Sequence, residues 1–196
     1  MQQEAKVDLC FQVIGKHIPV DHGYALYSAI SRILPVFHED ETAGLKLIRG
    51  RYIGDGLLDI SPSSELILRL PLSRIADYIP LAGKRLSLDR THLMVGVPRT
   101  RALITLARLH AHLVTTRNGA DQERFEAEIS RQMDRLGVRG SFNVGDRRTF
   151  KIHGKQVVGY SLELSGLGPK ESIALQENGL GGRRRMGCGF FEPYAG

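Results

Sequence analysis

Near its C-terminal end the chain reads Gly179-Leu180-Gly181-Gly182-Arg183-Arg184-Arg185-Met186-Gly187-Cys188-Gly189. The order is glycine, hydrophobic, glycine, then five residues that include three consecutive arginines, then glycine, hydrophobic, glycine again. Glycine pairs at both ends let the backbone take positive φ and come close to another backbone. The arginines between them offer planar, fixed donors that match phosphate oxygens. No Lys-Ser/Thr pair follows the second glycine cluster, so this is not a Walker loop. Nor do strand, loop and helix come in the order of a dinucleotide-binding turn. One reading is a flexible collar around a basic centre, a phosphate-holding loop running into a buried strand over 187–191. The other is a glycine-rich surface hairpin with solvated arginines, and the stretch by itself leaves both open.

Working outward from this loop gives the fold. Pro169 suits the first turn of a helix running to Asn178, with Gly179 as its C-cap. Before it, strands are expected near 139–145 and 148–164. Before those, Asp121 caps a helix whose Phe125, Ile129, Met133 and Leu136 share one face, stopped by Gly137. The segment 102–117, with its β-branched end, reads as a long strand. The first half has the same order. Residues 5–14 alternate through Val7, Leu9, Phe11 and Val13, as a strand does. Pro19 and Asp21 mark a turn and helix N-cap, and Leu26, Ala29, Ile30, Ile33 and Leu34 recur at helical spacing until Pro35 ends the helix. Strands follow at 45–53 and 65–70, then a short helix from Ser73 to Ile79, then one or two strands over 84–97. Two successive strand-helix-strand-strand-helix-strand units define an α+β chain of tandem ferredoxin-like (βαββαβ) domains, divided as 1–98 and 99–196. The RNA-recognition motif shares this topology. Its aromatic strand signature is missing, and only 7% of residues are aromatic, so base stacking on an aromatic platform is not the expected mode of binding.

Charge points to a polyanionic partner. The net charge of +6 is uneven: −2 over residues 1–60, +6 over 61–120 and +2 over 121–196. Two cysteines, Cys10 and Cys188, lie in apolar sequence without a paired-Cys motif, which argues against a zinc module or disulfide framework. They read as buried thiols of a reducing, cytoplasmic compartment. No apolar run is long enough to span a membrane, and the polar start is not that of a signal peptide. No cofactor, metal or membrane partner is expected.

A tandem ferredoxin-like chain ending in this glycine signature resembles the repeat-cleaving CRISPR endoribonucleases of the repeat-associated mysterious protein superfamily. Gly179, Gly181, Gly187 and Gly189 match the C-terminal signature, with Arg183, Arg184 and Arg185 as its basic insert. The segment IPVDHGYALYSAISRILPVFHED, residues 18–40, is similar to the family's first helical region, most of all in its small Myxococcus-type subgroup. The resemblance implies metal-independent cleavage of CRISPR precursor RNA within its repeat. The ribose 2′-hydroxyl attacks the adjacent phosphate, leaving a 2′,3′-cyclic phosphate and a 5′-hydroxyl. It implies CRISPR repeat RNA and crRNA as partners, with other effector-complex subunits receiving the product. The superfamily also holds non-catalytic crRNA-binding subunits, which is the alternative reading. An enzyme acting on a small phosphorylated substrate is a more remote one.

Such chemistry needs a base for the 2′-OH proton, an acid for the departing 5′-oxygen and cations for the phosphorane, and histidine suits the first two. Of seven histidines, His38 occupies the family's usual general-base setting, in Phe37-His38-Glu39-Asp40. Without the family it would read as a solvated loop histidine. His22, at the start of the first helix, is the rival or the second member of a catalytic pair. Tyr24 and Tyr27 lie on or beside the same helix and are candidates to orient the 2′-OH or the phosphate, although Tyr27 also fits a core position. His17 ranks lower. His110 and His112 share a strand face without a third metal ligand. RNA contacts are assigned to Arg183, Arg184 and Arg185, and to Arg147 and Arg148. Arg99, Arg101, Arg108 and Lys151 are further candidates.

Overall fold

The computed structural model describes residues 4–194. They form two compact units divided between Ala102 and Leu103, with strand β8 of the first carrying on to Ala102.

In the first unit, β1 (Lys6–Ile14) is followed by β2 (His17–Pro19), α1 (Gly23–Ile33) and α2 (Pro35–Glu39). Then come β3 (Gly44–Lys46), β4 (Arg51–Gly54), β5 (Leu57–Asp59), β6 (Glu65–Pro71), α3 (Ile75–Tyr78), β7 (Arg85–Leu88) and β8 (Thr91–Ala102). The main sheet has the order β3-β6-β1-β8-β7 with antiparallel neighbours. Taking β3, β6, β1 and β8 as the strands of one βαββαβ repeat, this is the ferredoxin-like order, extended by β7. Strand β1 is central and buries both faces. Leu9, Phe11 and Val13 point to one side, and Asp8 and Cys10 to the other. Asp8 is held there by Arg69, Nε to Oδ1 at 2.7 Å and Nη2 to Oδ2 at 3.1 Å, so the buried carboxylate keeps a bidentate partner. Helix α1 lays Leu26, Ala29 and Ile30 into the core, each at most 3% exposed. Burying such a leucine or isoleucine side chain contributes about 1.5–3 kcal/mol.

The second unit runs β9 (Leu109–Val114), α4 (Gln122–Leu136), β10 (Ser141–Ile152), β11 (Lys155–Ser165), α5 (Pro169–Asn178) and β12 (Glu192–Pro193), with sheet order β10-β11-β9-β12. This is the same order again, so the chain is a tandem ferredoxin-like protein. Asp121 caps α4 by accepting from the Arg124 amide at 3.1 Å, and Gly137 ends it in the left-handed region. Phe125, Ile129 and Met133 meet Leu109, Ala111, Val114, Tyr160 and Leu162 in the core.

Several boundaries differ from the sequence reading. The strand expected over 45–53 is two strands in different sheets, because residues 47–50 leave the β3 ladder and Gly50 packs against the end of β5, where a Cβ would lie 2.7 Å from the Asp59 carbonyl oxygen. The expected strand over 102–117 is regular only from Leu109 to Val114; beyond it the Thr115 carbonyl leaves the ladder to accept from the Gly182 amide. Strand β10 continues through Gly145 and Asp146, which a bulge between Val144 and Arg147 absorbs, and the hairpin turns at His153 and Gly154, both at positive φ. Asp21 is not the cap of α1, since His22 occupies that place without a side-chain capping bond. Pro80 does not stop the helix after Ser73 but sits inside a 3-10 turn, Ile79–Leu81. The final strand is Glu192–Pro193 rather than 187–191, because Gly187 and Gly189 hold φ of +88° and +64°, which an extended ladder does not accommodate.

Candidate functional site

Helix α2 is five residues long, yet it is firmly placed. Pro35, fixed in φ, ends α1 and begins α2 at its first position. Phe37 points inward, fully buried, with its ring 5.8 Å from Tyr27 and 6.1 Å edge-on from Tyr78. At the C-terminal end Asp40 is buried and accepts from Tyr78 Oη at 2.7 Å and from the Thr42 amide at 2.9 Å, with the Thr42 hydroxyl also donating and Arg74 at 3.7 Å. Burial pushes the Asp40 carboxyl upward, but these donors outweigh it and hold it below its ordinary value. Tyr78, conversely, is raised by burial and by its bond to Asp40. This anchor was not singled out from sequence; Asp40, two residues past His38, was its only signal.

Between Phe37 and Asp40, His38 faces outward and is exposed. Its Nδ1 shares a hydrogen bond of 2.7 Å with Tyr27 Oη, and the two rings are 5.9 Å apart. Tyr27 is only 9% exposed and rigidly seated, so the imidazole is oriented through the nitrogen nearer the core. Tyr24, one helical turn earlier and half-buried, has its ring 6.2 Å from that of Tyr27 and tilted 42° to it. The structure therefore brings His38, Tyr27 and Tyr24 together.

His22 stands apart from this group in its hydrogen bonding. It is 2% exposed, and its Nε2 accepts from the Ile48 amide at 3.0 Å. An amide can only donate, so Nδ1 carries the proton and gives it to the Pro19 and Val20 carbonyls at 2.8 and 3.1 Å. Burial lowers its pKa from the ordinary 6.5, against the raising effect of those carbonyls. Both nitrogens are committed to backbone in one neutral tautomer.

In the second unit the glycine-rich loop is tightly packed rather than pliable. A Cβ on Gly179 would lie 2.4 Å from the Gly189 carbonyl oxygen, one on Gly189 2.2 Å from that of Leu180, and one on Gly181 2.4 Å from that of Thr115. The Gly181, Gly182 and Gly189 amides donate to Gln132 Oε1 at 2.7 Å, Thr115 at 2.9 Å and Leu113 at 2.7 Å. Leu180, Cys188 and Phe191 are buried beneath it. The glycines thus serve contact between backbones, and the loop presents its centre as a fixed 3-10 turn, Arg184–Met186. Arg183 is exposed, Arg185 is half-buried, and Arg184 turns back to donate to the Asn178 carbonyl at the end of α5. On β10, Arg147 is exposed, whereas Arg148 pairs with Asp146 at 3.2 Å. Three further arginines are also spoken for: Arg99 and Arg101 pair with Glu65 at 2.7 and 3.3 Å, and Arg108 pairs with Glu163. Lys151 is exposed on β10. His17 lies 3.5 Å from Asp59, and the His110 ring sits 5.7 Å from that of Tyr194. No group of three or more His, Cys, Asp or Glu side chains disposed to hold a metal occurs among the described residues, and no helix among them is long and apolar enough to cross a membrane.

An α+β chain of two ferredoxin-like units, with a tyrosine-oriented histidine in the first and a glycine-clasped basic loop in the second, belongs to the Cas6 family: the family model described as "Cas6 Crispr" matches residues 7–196. A CRISPR-associated endonuclease Cas6 of Myxococcus xanthus (strain DK1622) is 41% identical over 194 residues, covering 95% of this chain and 81% of that one. Among solved structures, an RAMP protein binding different RNA substrates superposes with a TM-score of 0.67 at 13% identity, covering 95% of this chain and 98% of its own. A CRISPR-associated protein Cas6 superposes with a TM-score of 0.66 at 14% identity, covering 96% and 98%. At such identities these likenesses are of fold.

Proposed function

We propose that this chain is an endoribonuclease that cuts CRISPR precursor RNA within its repeat, with His38 as its proton-transfer group. The observation that carries the reading is the 2.7 Å bond between Tyr27 Oη and His38 Nδ1 on an anchored helix, in a chain of the Cas6 family. When Nδ1–H donates to the tyrosine oxygen, Nε2 keeps its lone pair and takes the 2′-OH proton. The resulting imidazolium has N–H on both nitrogens, with Tyr27 still accepting from Nδ1. It then returns a proton through Nε2 to the departing 5′-oxygen. The oxygen of the 2′-hydroxyl bonds to phosphorus as the P–O5′ bond breaks, giving a 2′,3′-cyclic phosphate and a 5′-hydroxyl without a metal. Tyr24 extends the aromatic wall and orients the ribose. His22 has a structural role in this reading, since using either nitrogen would break a backbone bond.

Arg183, Arg185 and Arg147 hold phosphates of the same RNA, as point contacts that fix the strand for in-line attack. Arg184 supports the loop, and the glycines Gly179, Gly181, Gly187 and Gly189 shape it. The product stays bound and enters an effector complex with other CRISPR subunits. The test is cleavage of the host's own repeat RNA by wild type beside His38→Ala and His22→Gln. Loss of cutting in the first with RNA affinity retained supports the mechanism. Binding without any cutting by wild type would instead leave a non-catalytic crRNA-binding subunit.

A further inference from the structure

The first unit has an open cleft of about 610 Å³ that contains neither His38, Tyr27 nor Asp40. It lies where the chain leaves β3, crosses to β4 and returns from β5 toward β6. Its polar lining comes from Lys46, Arg49, Arg51, Ser61, Ser63 and Ser64, over an apolar floor of Leu47 and Ile67. The size is that of clefts holding small-molecule-sized groups, ~300–1,000 Å³.

Its construction is firm. Gly50 packs against the Asp59 carbonyl, where a Cβ would lie 2.7 Å away, so the segment bearing Arg49 and Arg51 is fixed to β5. Ser64 Oγ donates to the Arg49 carbonyl at 2.8 Å and accepts from the Ser61 amide at 3.1 Å, which ties the serine turn to the basic segment. The Ser61 and Ser63 hydroxyls, both on exposed residues, are 2.7 Å apart and share a hydrogen bond. The two carboxylates at the cleft are already engaged. Glu65 takes Arg99 and Arg101, and Asp59 takes Arg51 and His17, each of the latter at 3.5 Å. Cations about the cleft outnumber its carboxylates, with Lys46, Arg49, Arg51, Arg99 and Arg101 against Asp59 and Glu65, so a ligand meets hydroxyl groups in a setting of net positive charge. That is the complement of a phosphodiester oxygen and not of a cation or an apolar group.

The geometry points to this cleft as an RNA-backbone subsite, taking phosphodiester groups of a single strand through Arg49, Arg51, Lys46 and the Ser61–Ser63 hydroxyls. The inference rests on the RNA-cleaving reading above and extends it: the substrate is gripped in the first unit at a place other than its proton-transfer group. An open groove, polar walls and no aromatic side chain in its lining suit a backbone of any sequence. The subsite adds affinity rather than base recognition.

The test is fluorescence anisotropy of end-labelled host repeat RNA, and separately of a labelled oligouridine, titrated with protein from about 50 to 300 mM salt. Each phosphate neutralised on a single strand contributes roughly 0.7 to the slope of log affinity against log salt. The double variant Arg49→Gln/Arg51→Gln should therefore lower the slope by about 1.4 and weaken binding about tenfold at the lowest salt. Ser63→Asp, which keeps both arginines and places a negative charge at the rim, should weaken binding in the same direction. Arg124→Gln, on the exposed face of α4, removes a charge elsewhere and should leave the slope unchanged. Wild-type affinity and slope retained in both cleft variants would overturn the subsite while leaving the cleavage reading intact. Wild type that binds neither RNA in a salt-dependent way would overturn both together. Oligouridine binding lost in the cleft variants, with the repeat bound but uncut, would uphold the subsite and sink the catalytic reading.

Discussion

At the scale of single residues the account turns on how two histidines use their nitrogens. His38 lies on the surface with Nδ1 held by Tyr27 at 2.7 Å, whereas His22 is buried with both nitrogens bonded to backbone. Replacing His38 by alanine should slow cutting by about 10²–10⁴-fold, the usual contribution of one proton-transfer group, with RNA affinity retained. Tyr27→Phe removes only the orienting bond. A net hydrogen bond of about 1–1.5 kcal/mol predicts a rate loss near tenfold, read in single-turnover cleavage. His22 should reveal itself in stability instead. Its folded pKa lies below the ordinary 6.5, so the folded state binds fewer protons than the unfolded one as pH falls under that value. Its contribution is complete above pH 6.5 and is lost on acidification toward the depressed pKa, at no more than about 1.4 kcal/mol per pH unit. Denaturant melts at pH 7.5 and 5.5 should show this loss in wild type and a flatter dependence in His22→Gln. The lowered carboxyl of Asp40 acts in a separate range, below its ordinary 3.8.

Among the elements, the glycine-rich loop shows how chemistry in sequence and geometry in the fold can diverge. Its glycines were legible as sites of close approach, but not what they approach. Gly179 and Gly181 meet the Gly189 and Thr115 carbonyls, partners 10 and 66 positions away, and such pairings leave no local pattern. Gly189→Ala should cost at least about 2 kcal/mol of stability, from strained positive φ and a methyl driven into the Leu180 carbonyl, as measured by chemical denaturation. The arginines should separate by function. Arg184→Ala lowers the melting temperature because Arg184 serves the end of α5, whereas Arg183→Ala leaves the melt unchanged and weakens RNA binding with a smaller salt slope. Helices α1 and α4 were legible from the spacing of their apolar side chains, and for α4 the terminal residues Asp121 and Gly137 agreed as well, whereas the cap of α1 is His22 rather than Asp21. Strand limits were less so, since the break expected between strands near 139–145 and 148–164 is absorbed as a bulge in β10.

Over the whole molecule, element order was enough to specify tandem ferredoxin-like units, because each half repeats one pattern and the main sheet of each unit contains the same strand order, while the small sheet β2-β5-β4 of the first unit was not foreseen. Net charge was a weaker guide. Of the basic middle, Arg99, Arg101 and Arg108 are matched by Glu65 and Glu163 from distant strands, a neutralisation that a running count of charge does not register. What remains for RNA is a smaller set of side chains in fixed settings, which is why the proposed activity depends on geometry more than on total charge. The most direct measurement is the mapping of product ends after wild type and His38→Ala are incubated with the host repeat RNA in excess chelator. The account predicts a single cut by wild type that leaves a 2′,3′-cyclic phosphate and a 5′-hydroxyl, and cutting by the variant slower by about 10²–10⁴-fold. Undiminished cutting by His38→Ala, or cutting that ceases under chelation, would contradict it.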